Sequence, residues 1–281
     1  MLHFNELENL ISSSKTDSSK PPYILCNEAG QEQILTTLTA EAKSQDKRVH
    51  LGFSVWFNLD VIAVTHPEYA IILDIDPNVH AIYQCIKKAI DSSKTRDQFV
   101  DTFLKAVEKI KLLPFPMEYQ KNLFDQELSK KQGFLSSEKN FSLVKAMHEE
   151  GKIFFGAADV TNSEIFRQLA GWCKTKDAKI DTLYISNISE WLDPEEIRVM
   201  KENLGILVNQ NTRVIDAFYP TTSKDNLGPP LRITYGEAPS FTKGKPKKTK
   251  PRRMLWDSDS TEENEAHHVD CKDQPIKKPK V

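Results

Sequence analysis

The chain has 281 residues and a formal net charge of −2, with 39% apolar and 28% charged residues, which is enough apolar sequence for a sizeable globular core. No apolar run is long enough to span a membrane, and the N-terminus lacks the basic start and long apolar centre of a signal peptide. The four cysteines lie far apart, which argues against structural zinc or a disulfide framework and favours a reducing compartment, with the cytoplasm as the default location.

The predicted elements begin with two helices within residues 1–44, then an apolar strand at "KRVHLGF" and a short helix that ends at Pro67. The second strand, "YAIILDI", is apolar throughout, as strands buried on both faces are. The next helix carries an apolar face made of Val79, Ile82, Ile86 and Ile90. This alternation predicts strands that run parallel, with helices between them.

Residues 91–150 interrupt the alternation with about sixty polar, amphipathic residues of helical character. Strands at "KIFFGAADV", "IDTLYISNI" and "TRVIDAFYP" follow, with helices between them and an edge strand at "PLRITYGE". We predict an α/β fold: a doubly wound, mostly parallel Rossmann-like sheet with helices on both faces. The helical insertion at 91–150 is where a lid or specificity element would lie.

The charge divides the chain into a body and a tail. Residues 243–281 contain eleven Lys or Arg and seven Asp or Glu, so this tail is +4 and the rest of the chain is −6. The tail has too few apolar residues to fold, and we predict that it is disordered. The predicted domains are N-terminal helices (1–44), a Rossmann-like domain (45–242) and the tail. The acidic body argues against non-specific nucleic-acid binding by the folded domain.

Two aspartates lie at the end of the second strand, and the residue preferences of helix caps assign them different roles. Asp76 directly precedes Pro77, which is favoured as a first helical residue, so Asp76 is well placed to be the N-cap. Asp74 has no helix to cap. Because ligands of such sheets bind outside the carboxyl ends of the strands, where a carboxylate accepts hydrogen bonds from ribose, Asp74 is a candidate cofactor ligand. The structural alternative is a solvated charge.

The other strand ends supply further candidates, each with an alternative in ordinary turn chemistry. Asp159 follows the third strand and fits either an adenine contact or a local turn. Ser186 and Asn187 form a polar lip at the end of the fourth strand, while Tyr184 and Trp191 beside them are expected to pack. Tyr219 leaves the fifth strand. The lip would face a substrate.

This order of strand ends resembles the Rossmann-like S-adenosylmethionine-dependent methyltransferases, nearest a sparsely characterised bacterial branch with the patterns L-G-x-G-x-x-x-N and V-D-I. The chain has "LGFSVWFN" and "LDID", with Ser54 in place of the second glycine, and the similarity covers roughly residues 45–235. The resemblance implies S-adenosylmethionine as cofactor. It places Gly52, Asn58, Asp74 and Asp159 at the cofactor, and Ser186 and Asn187 near the substrate. We assign Tyr219, in the loop after the fifth strand, to the substrate side as well.

No catalytic residue and no substrate, small molecule or protein, can be named from the sequence. His50 and His66 are possible bases, although each fits a structural histidine better. Signatures of hydrolases, P-loop enzymes and zinc proteases are missing, and we predict no metal site. Two alternatives stay open: a catalytically inactive, protein-binding module on the same fold, and a nicotinamide-dependent oxidoreductase, for which the glycine fingerprint is missing.

Two short segments of the tail resemble segments of known kinds of protein. Lys243–Arg253 resembles a basic nuclear-import signal, which would make an import receptor a partner. The acidic "DSDSTEENE" resembles C-terminal segments of secreted bacterial effectors. Together they form the alternative hypothesis of a secreted protein that acts inside a host cell, including its nucleus, with a solvated charged tail as the simpler interpretation.

Overall fold

The computed structural model describes residues 24–26, 28–41, 47–112, 116–217 and 230–235. The predicted first helix, Tyr219 and the whole tail, with its two resemblances, lie outside these residues. Within the part of the chain that is described, no helix combines the length and the apolar character needed to cross a membrane.

The described residues form six strands and eight α-helices. The strands are β1 (Arg48–Phe53), β2 (Tyr69–Asp74), β3 (Ile153–Ala157), β4 (Lys179–Ser186), β5 (Arg213–Ala217) and β6 (Leu231–Tyr235). The helices are α1 (Gln31–Ala40), α2 (Trp56–Thr65), α3 (Pro77–Ser92), α4 (Arg96–Lys109), α5 (Met117–Ser129), α6 (Glu138–Glu149), α7 (Ser163–Lys176) and α8 (Pro194–Gly205), with a 3-10 turn at Ile188–Glu190.

The strands form one sheet in the order β3-β2-β1-β4-β5-β6. The first five strands are parallel, and β6 runs antiparallel to β5 at the edge. Leu51 in β1 pairs with Ile71 on one side and with Leu183 on the other. From β1, the chain adds β2 and β3 towards one edge of the sheet and then β4 and β5 towards the other edge. The carboxyl ends of β1 and β4, where this order reverses, are therefore the switch point. The predicted α/β fold is confirmed.

Helices cover both faces of the sheet. On one face, α3 buries Val79, Ile82, Ile86 and Ile90 in a core that also contains Ile72 and Phe155 from the strands. On the same face, the apolar side of α1 packs with Phe57, Tyr184 and Ile215, since Ile72 and Tyr184 both pair with Gly52 in the sheet. The other face carries Phe53, whose ring stacks on Phe166 of α7 at a centroid distance of 6.5 Å, because successive side chains of a strand point to opposite faces of the sheet.

The insertion folds as α4, α5 and α6 and shares its core with α2. Four of its buried aromatic residues surround Trp56, namely Phe99, Phe103, Phe124 and Phe134. Phe141 packs against Phe99 and Phe134. The ring centroids of Trp56 and Phe124 lie 4.8 Å apart in an edge-to-face arrangement, and Trp56 Nε1 donates to Glu127 Oε2 at 3.1 Å. The insertion is therefore packed into the body of the domain.

The predicted N-cap at Asp76 is confirmed. Asp76 is the N-cap of α3, where its Oδ1 accepts from the backbone of Asn78 at 2.8 Å and Pro77 is the first helical residue. Asp193 forms a capping box at the start of α8.

Candidate functional site

The two strands at the switch point each end in a serine with a left-handed backbone. Ser54 follows β1 with a φ of 71°, and Ser186 ends β4 with a φ of 50°. Few residues other than glycine adopt such angles, and they concentrate at functional sites. Both serines are half-buried. Ser54 thus makes, at a cost in strain, the turn for which the resemblance expects glycine.

A buried network beneath this turn involves Gly52 and Asn58. The Asn58 side chain is fully buried, its Oδ1 accepts from His50 Nε2 at 3.0 Å, and its Nδ2 donates to the carbonyl of Phe53 at 2.8 Å. A Cβ on Gly52 would overlap Asn58 Oδ1. Gly52 thus makes room for Asn58, and Asn58 holds the turn from inside the protein, while a cofactor contact of Gly52 or Asn58 stays a prediction.

Neither histidine that was considered as a base is placed to act as one. His50 is fully buried between Asn58 and Thr182, whose Oγ1 lies 2.8 Å from His50 Nδ1. Burial lowers the pKa of His50 to about 4, so the ring is neutral near pH 7. His66 ends α2, with Nε2 2.8 Å from the carbonyl of Ala63. Both histidines are structural.

Asp74 lies half-buried at the end of β2, beside the Ser54 turn. Its Oδ1 accepts from the backbone N–H of Asp76 at 2.9 Å, and its backbone carbonyl accepts from Ala158 at 3.0 Å. Burial raises the pKa of Asp74 to about 6, although the backbone N–H groups of Asp76 and Ile75 oppose the rise. A carboxylate accepts about four hydrogen bonds, so Asp74 keeps acceptor capacity for a ligand.

Asp159 lies at the end of β3, next to Asp74. The bond from Ala158 to Asp74 joins the two strand ends. Asp159 Oδ1 accepts from the backbone and from the hydroxyl of Thr161, at 2.8 and 2.6 Å, while Asn162 is the N-cap of α7. Of the two interpretations of Asp159, the structure shows the local turn, and an adenine contact stays a prediction.

The end of β4 contains a carboxylate that the sequence patterns did not reveal. Glu28 is only 4% exposed. Its Oε1 accepts from the hydroxyl of Ser186 and, at 3.4 Å, from the hydroxyl of Tyr184, and its Oε2 accepts from the thiol of Cys26 at 2.6 Å. We call Cys26, Glu28, Tyr184 and Ser186 the Glu28 cluster. Glu28 precedes the sheet by twenty residues and belongs to no motif.

Ser186 reaches Glu28 because β4 is irregular at its end. The register with β5 shifts between Tyr184 and Ser186, and such bulges re-aim side chains next to active sites. Asn187 Oδ1 lies 3.3 Å from Ser186 Oγ. The lip expected at the end of β4 is present, with Glu28 as an added member. Trp191, expected to pack, is 67% exposed, so that expectation was wrong.

Other contacts hold the segment with Cys26 and Glu28 over the sheet. Gln31 Nε2 donates to the backbone carbonyls of Cys26 and Glu28 at 2.9 and 3.0 Å. The backbone of Leu231 in β6 donates to the carbonyl of Ala29 at 2.9 Å. The segment thus crosses the carboxyl ends of the strands on the β4 side, opposite Asp74.

The donor set fits a nucleoside with a charged side arm better than it fits a metal. Within the described residues, no group of three His, Cys, Asp or Glu side chains is arranged to hold an ion. Asp74 offers carboxylate oxygens of the kind that bind ribose hydroxyls. Across β1, at the end of β4, Glu28 offers a second carboxylate, which contacts Ser186.

Solved structures with a similar chain course include two methyltransferases. One is a TehB-like SAM-dependent methyltransferase from Corynebacterium glutamicum, with 8% identity over 68% of this chain and a TM-score of 0.32. The other is the glycopeptide N-methyltransferase MtfA in complex with S-adenosyl-L-methionine, with 10% identity over 78% of this chain, 71% of its own length and a TM-score of 0.34. This chain covers 63% of the length of the first.

Comparison with curated proteins gives no match. The family described as "Domain of unknown function (DUF7790)" matches residues 23–113 and 112–235. These segments include the sheet, the insertion and the Glu28 cluster. Since they span most of the sequence, the chain belongs to this family of unknown function.

Proposed function

We propose that this protein binds S-adenosylmethionine at the carboxyl ends of β1, β2 and β3 and is a methyltransferase-like protein. The observation that carries the proposal is Asp74, a carboxylate at the end of β2 beside the switch point. Rossmann-like sheets use an acidic residue there to bind ribose hydroxyls. The left-handed turn at Ser54 supports the same site, because close approach to a ligand is what such turns permit.

The energetics of Asp74 support a functional role. The raised pKa of about 6 means that the folded protein ionises this carboxyl at a cost in stability. An asparagine would keep the bond to the Asp76 backbone without that cost. A ribose diol that donates two hydrogen bonds would bind an ionised carboxylate more strongly than an amide, because an amide has only one acceptor oxygen.

When bound, S-adenosylmethionine supplies a methyl group on a positively charged sulfur. The contribution of the protein would be mainly alignment, and removal of a proton where the acceptor needs it. The Ser54 turn and Asp74 would hold the nucleoside half. The lip of Ser186 and Asn187 lies across β1 and is left for a substrate.

Isothermal titration calorimetry with S-adenosylmethionine and S-adenosylhomocysteine tests the proposal. We expect Asp74→Asn to weaken binding of both ligands about tenfold or more, because a charge-assisted hydrogen bond is lost. Asp76→Asn is the matched control: it removes the same charge two residues away, and asparagine caps helices equally well. Its affinity should stay within about twofold of the wild type.

Equal affinities of Asp74→Asn and the wild type would contradict the proposed role of Asp74 in ribose binding. A wild-type protein that binds neither ligand at millimolar concentration would remove the cofactor altogether. That result would leave the alternative of a protein-binding module on the same fold, without a cofactor.

A further inference from the structure

The Glu28 cluster holds a buried negative charge among neutral donors. The three groups that contact the Glu28 carboxylate are the hydroxyls of Ser186 and Tyr184 and the thiol of Cys26. Burial raises the pKa of Cys26 and the pKa of Tyr184 well above their ordinary values, with Glu28 as a further cause in each case. Both groups therefore stay protonated and act as neutral donors to the Glu28 carboxylate.

No described Lys, Arg or His forms an ion pair with this carboxylate. Lys130 reaches the same segment, where Nζ donates to Gln31 Oε1 at 3.0 Å. Its charge, however, is paired with Glu127 at 2.6 Å and with Asp60 at 3.6 Å. A buried charge without a counter-charge is costly. A cationic ligand at the end of β4 would supply that counter-charge.

The surroundings of Glu28 allow a ligand to approach. Ser186, Asn187 and Cys26 are half-buried, so the carboxylate lies directly below the surface of the lip. Its recorded contacts use three of about four acceptor directions. Ser186, which donates to it, carries the strained backbone described above. The strained backbone of Ser186 and the bulge in β4 therefore both serve to place the Ser186 hydroxyl against the Glu28 carboxylate.

We propose that Glu28 is the acceptor-side carboxylate of the enzyme: it binds a protonated amine of the substrate and takes the proton that this nitrogen must lose. The inference rests on the proposed function and narrows the substrate class to amines. An anionic acceptor would be repelled by the cluster, and a neutral hydroxyl would leave the buried charge uncompensated. Glu28 is thus a candidate catalytic residue.

The proton and electron balance is simple. The substrate ammonium gives one proton to the Glu28 carboxylate, and the free nitrogen lone pair attacks the methyl carbon. The carbon–sulfur bond breaks with its electron pair on sulfur, which becomes a neutral thioether. The product is a secondary ammonium, and the Glu28 carboxyl returns its proton to water. The total charge is the same before and after the step.

Two cofactor analogues test this placement without a known substrate. Sinefungin has an amine-bearing carbon where S-adenosylmethionine has its methylated sulfur, and S-adenosylhomocysteine has the same scaffold with an uncharged sulfur there. We expect the wild-type protein to bind sinefungin more tightly than S-adenosylhomocysteine. In Glu28→Gln, sinefungin affinity should fall about 10- to 100-fold while S-adenosylhomocysteine affinity stays unchanged.

Glu127→Gln is the matched control, because Glu127 is a second carboxylate with little exposure, 8%, that pairs with Lys130. It should lower thermal stability without changing the ratio of the two affinities. Glu28→Asp keeps the charge but withdraws it by one methylene, and it should restore part of the sinefungin preference. If Glu28 had only a structural role, its substitution would change the affinities for both ligands by the same factor.

The outcomes separate this inference from the proposed function. If the wild type binds both ligands equally, or if Glu28→Gln weakens both by the same factor, the amine role is overturned and cofactor binding stands. If neither ligand binds the wild type, both proposals fall. The wild-type comparison alone can refute the inference, so the test survives a Glu28→Gln protein that does not fold.

Discussion

At the residue scale, Gly52 shows how a motif position serves packing. Glycines near a nucleotide site are usually explained by the approach of the ligand. Here a Cβ on Gly52 would meet Asn58 Oδ1 and would lie 3.0 Å from His50 Nε2. Asn58 in turn bonds the backbone of the turn at Phe53. The pairing of Gly52 with Asn58 in the sequence reflects one buried hydrogen-bond network.

We predict that Gly52→Ala lowers the free energy of unfolding by about 2–4 kcal/mol, since the new methyl group displaces a buried, bonded amide. Urea denaturation at 25 °C measures the effect. Gly171→Ala is the control: Gly171 is exposed within α7, and an added Cβ meets nothing within 4 Å. It should stabilise the protein by about 0.5–1 kcal/mol. Equal effects of the two substitutions would contradict the packing role.

At the element scale, a single lysine joins the insertion to the rest of the domain. Lys130 follows α5 and pairs with Glu127 at the end of that helix and with Asp60 in α2. Asp60 Oδ1 also accepts from the backbone of Phe134 at 2.7 Å. Through Gln31 the same lysine contacts the start of α1. Three elements distant in sequence therefore depend on one partly buried cation.

Lys130→Met should destabilise the protein by about 3–5 kcal/mol, because it leaves the carboxylates of Asp60 and Glu127 buried without a counter-charge. The neighbouring Lys131 is exposed, so Lys131→Met removes the same charge at the surface and should change stability by less than about 0.5 kcal/mol. Guanidinium denaturation of both variants measures the difference. A small loss in Lys130→Met would show that the ion pairs do not hold the insertion in place.

At the scale of the whole molecule, two buried groups oppose each other as the pH changes. His50, whose pKa falls from 6.5 to about 4, contributes stability that is present above about pH 6.5 and is lost as the pH falls through about 4. Asp74, whose pKa rises from 3.8 to about 6, contributes stability that is present below about pH 3.8 and is lost as the pH rises through about 6. The two windows overlap, so the effects partly cancel in the wild-type profile.

Asp74→Asn uncovers the aspartate contribution. Relative to the wild type, we expect this variant to gain about 2–3 kcal/mol of stability between about pH 4 and 7, at about 1.4 kcal/mol per pKa unit. Urea denaturation over this pH range provides the measurement. A constant difference between the two proteins would mean that the Asp74 pKa is not raised by folding. A gain in stability with a loss of cofactor affinity would mark Asp74 as a functional residue.

The fold was largely predictable because its signals are local. An apolar strand such as "YAIILDI" and a cap such as Asp76 before Pro77 each depend on a few neighbouring residues, and the structure confirms both. Helix α5 was harder, since its start at Met117 follows a proline-rich stretch that resembles a loop. Trp191 was expected to pack but is exposed, because the burial of a side chain depends on which other elements of the fold cover it.

The sequence by itself determined the α/β alternation, the strand that ends in Asp74 and the different roles of its two aspartates, because hydrophobic period and helix capping act within a few residues. Only the tertiary structure decided which carboxylates meet at the carboxyl edge of the sheet. Glu28 comes from a segment without a motif, and it reaches Ser186 only because the sheet order and the bulge in β4 bring residues 158 positions apart into contact. Such contacts depend on long-range packing, which no local pattern of residues records.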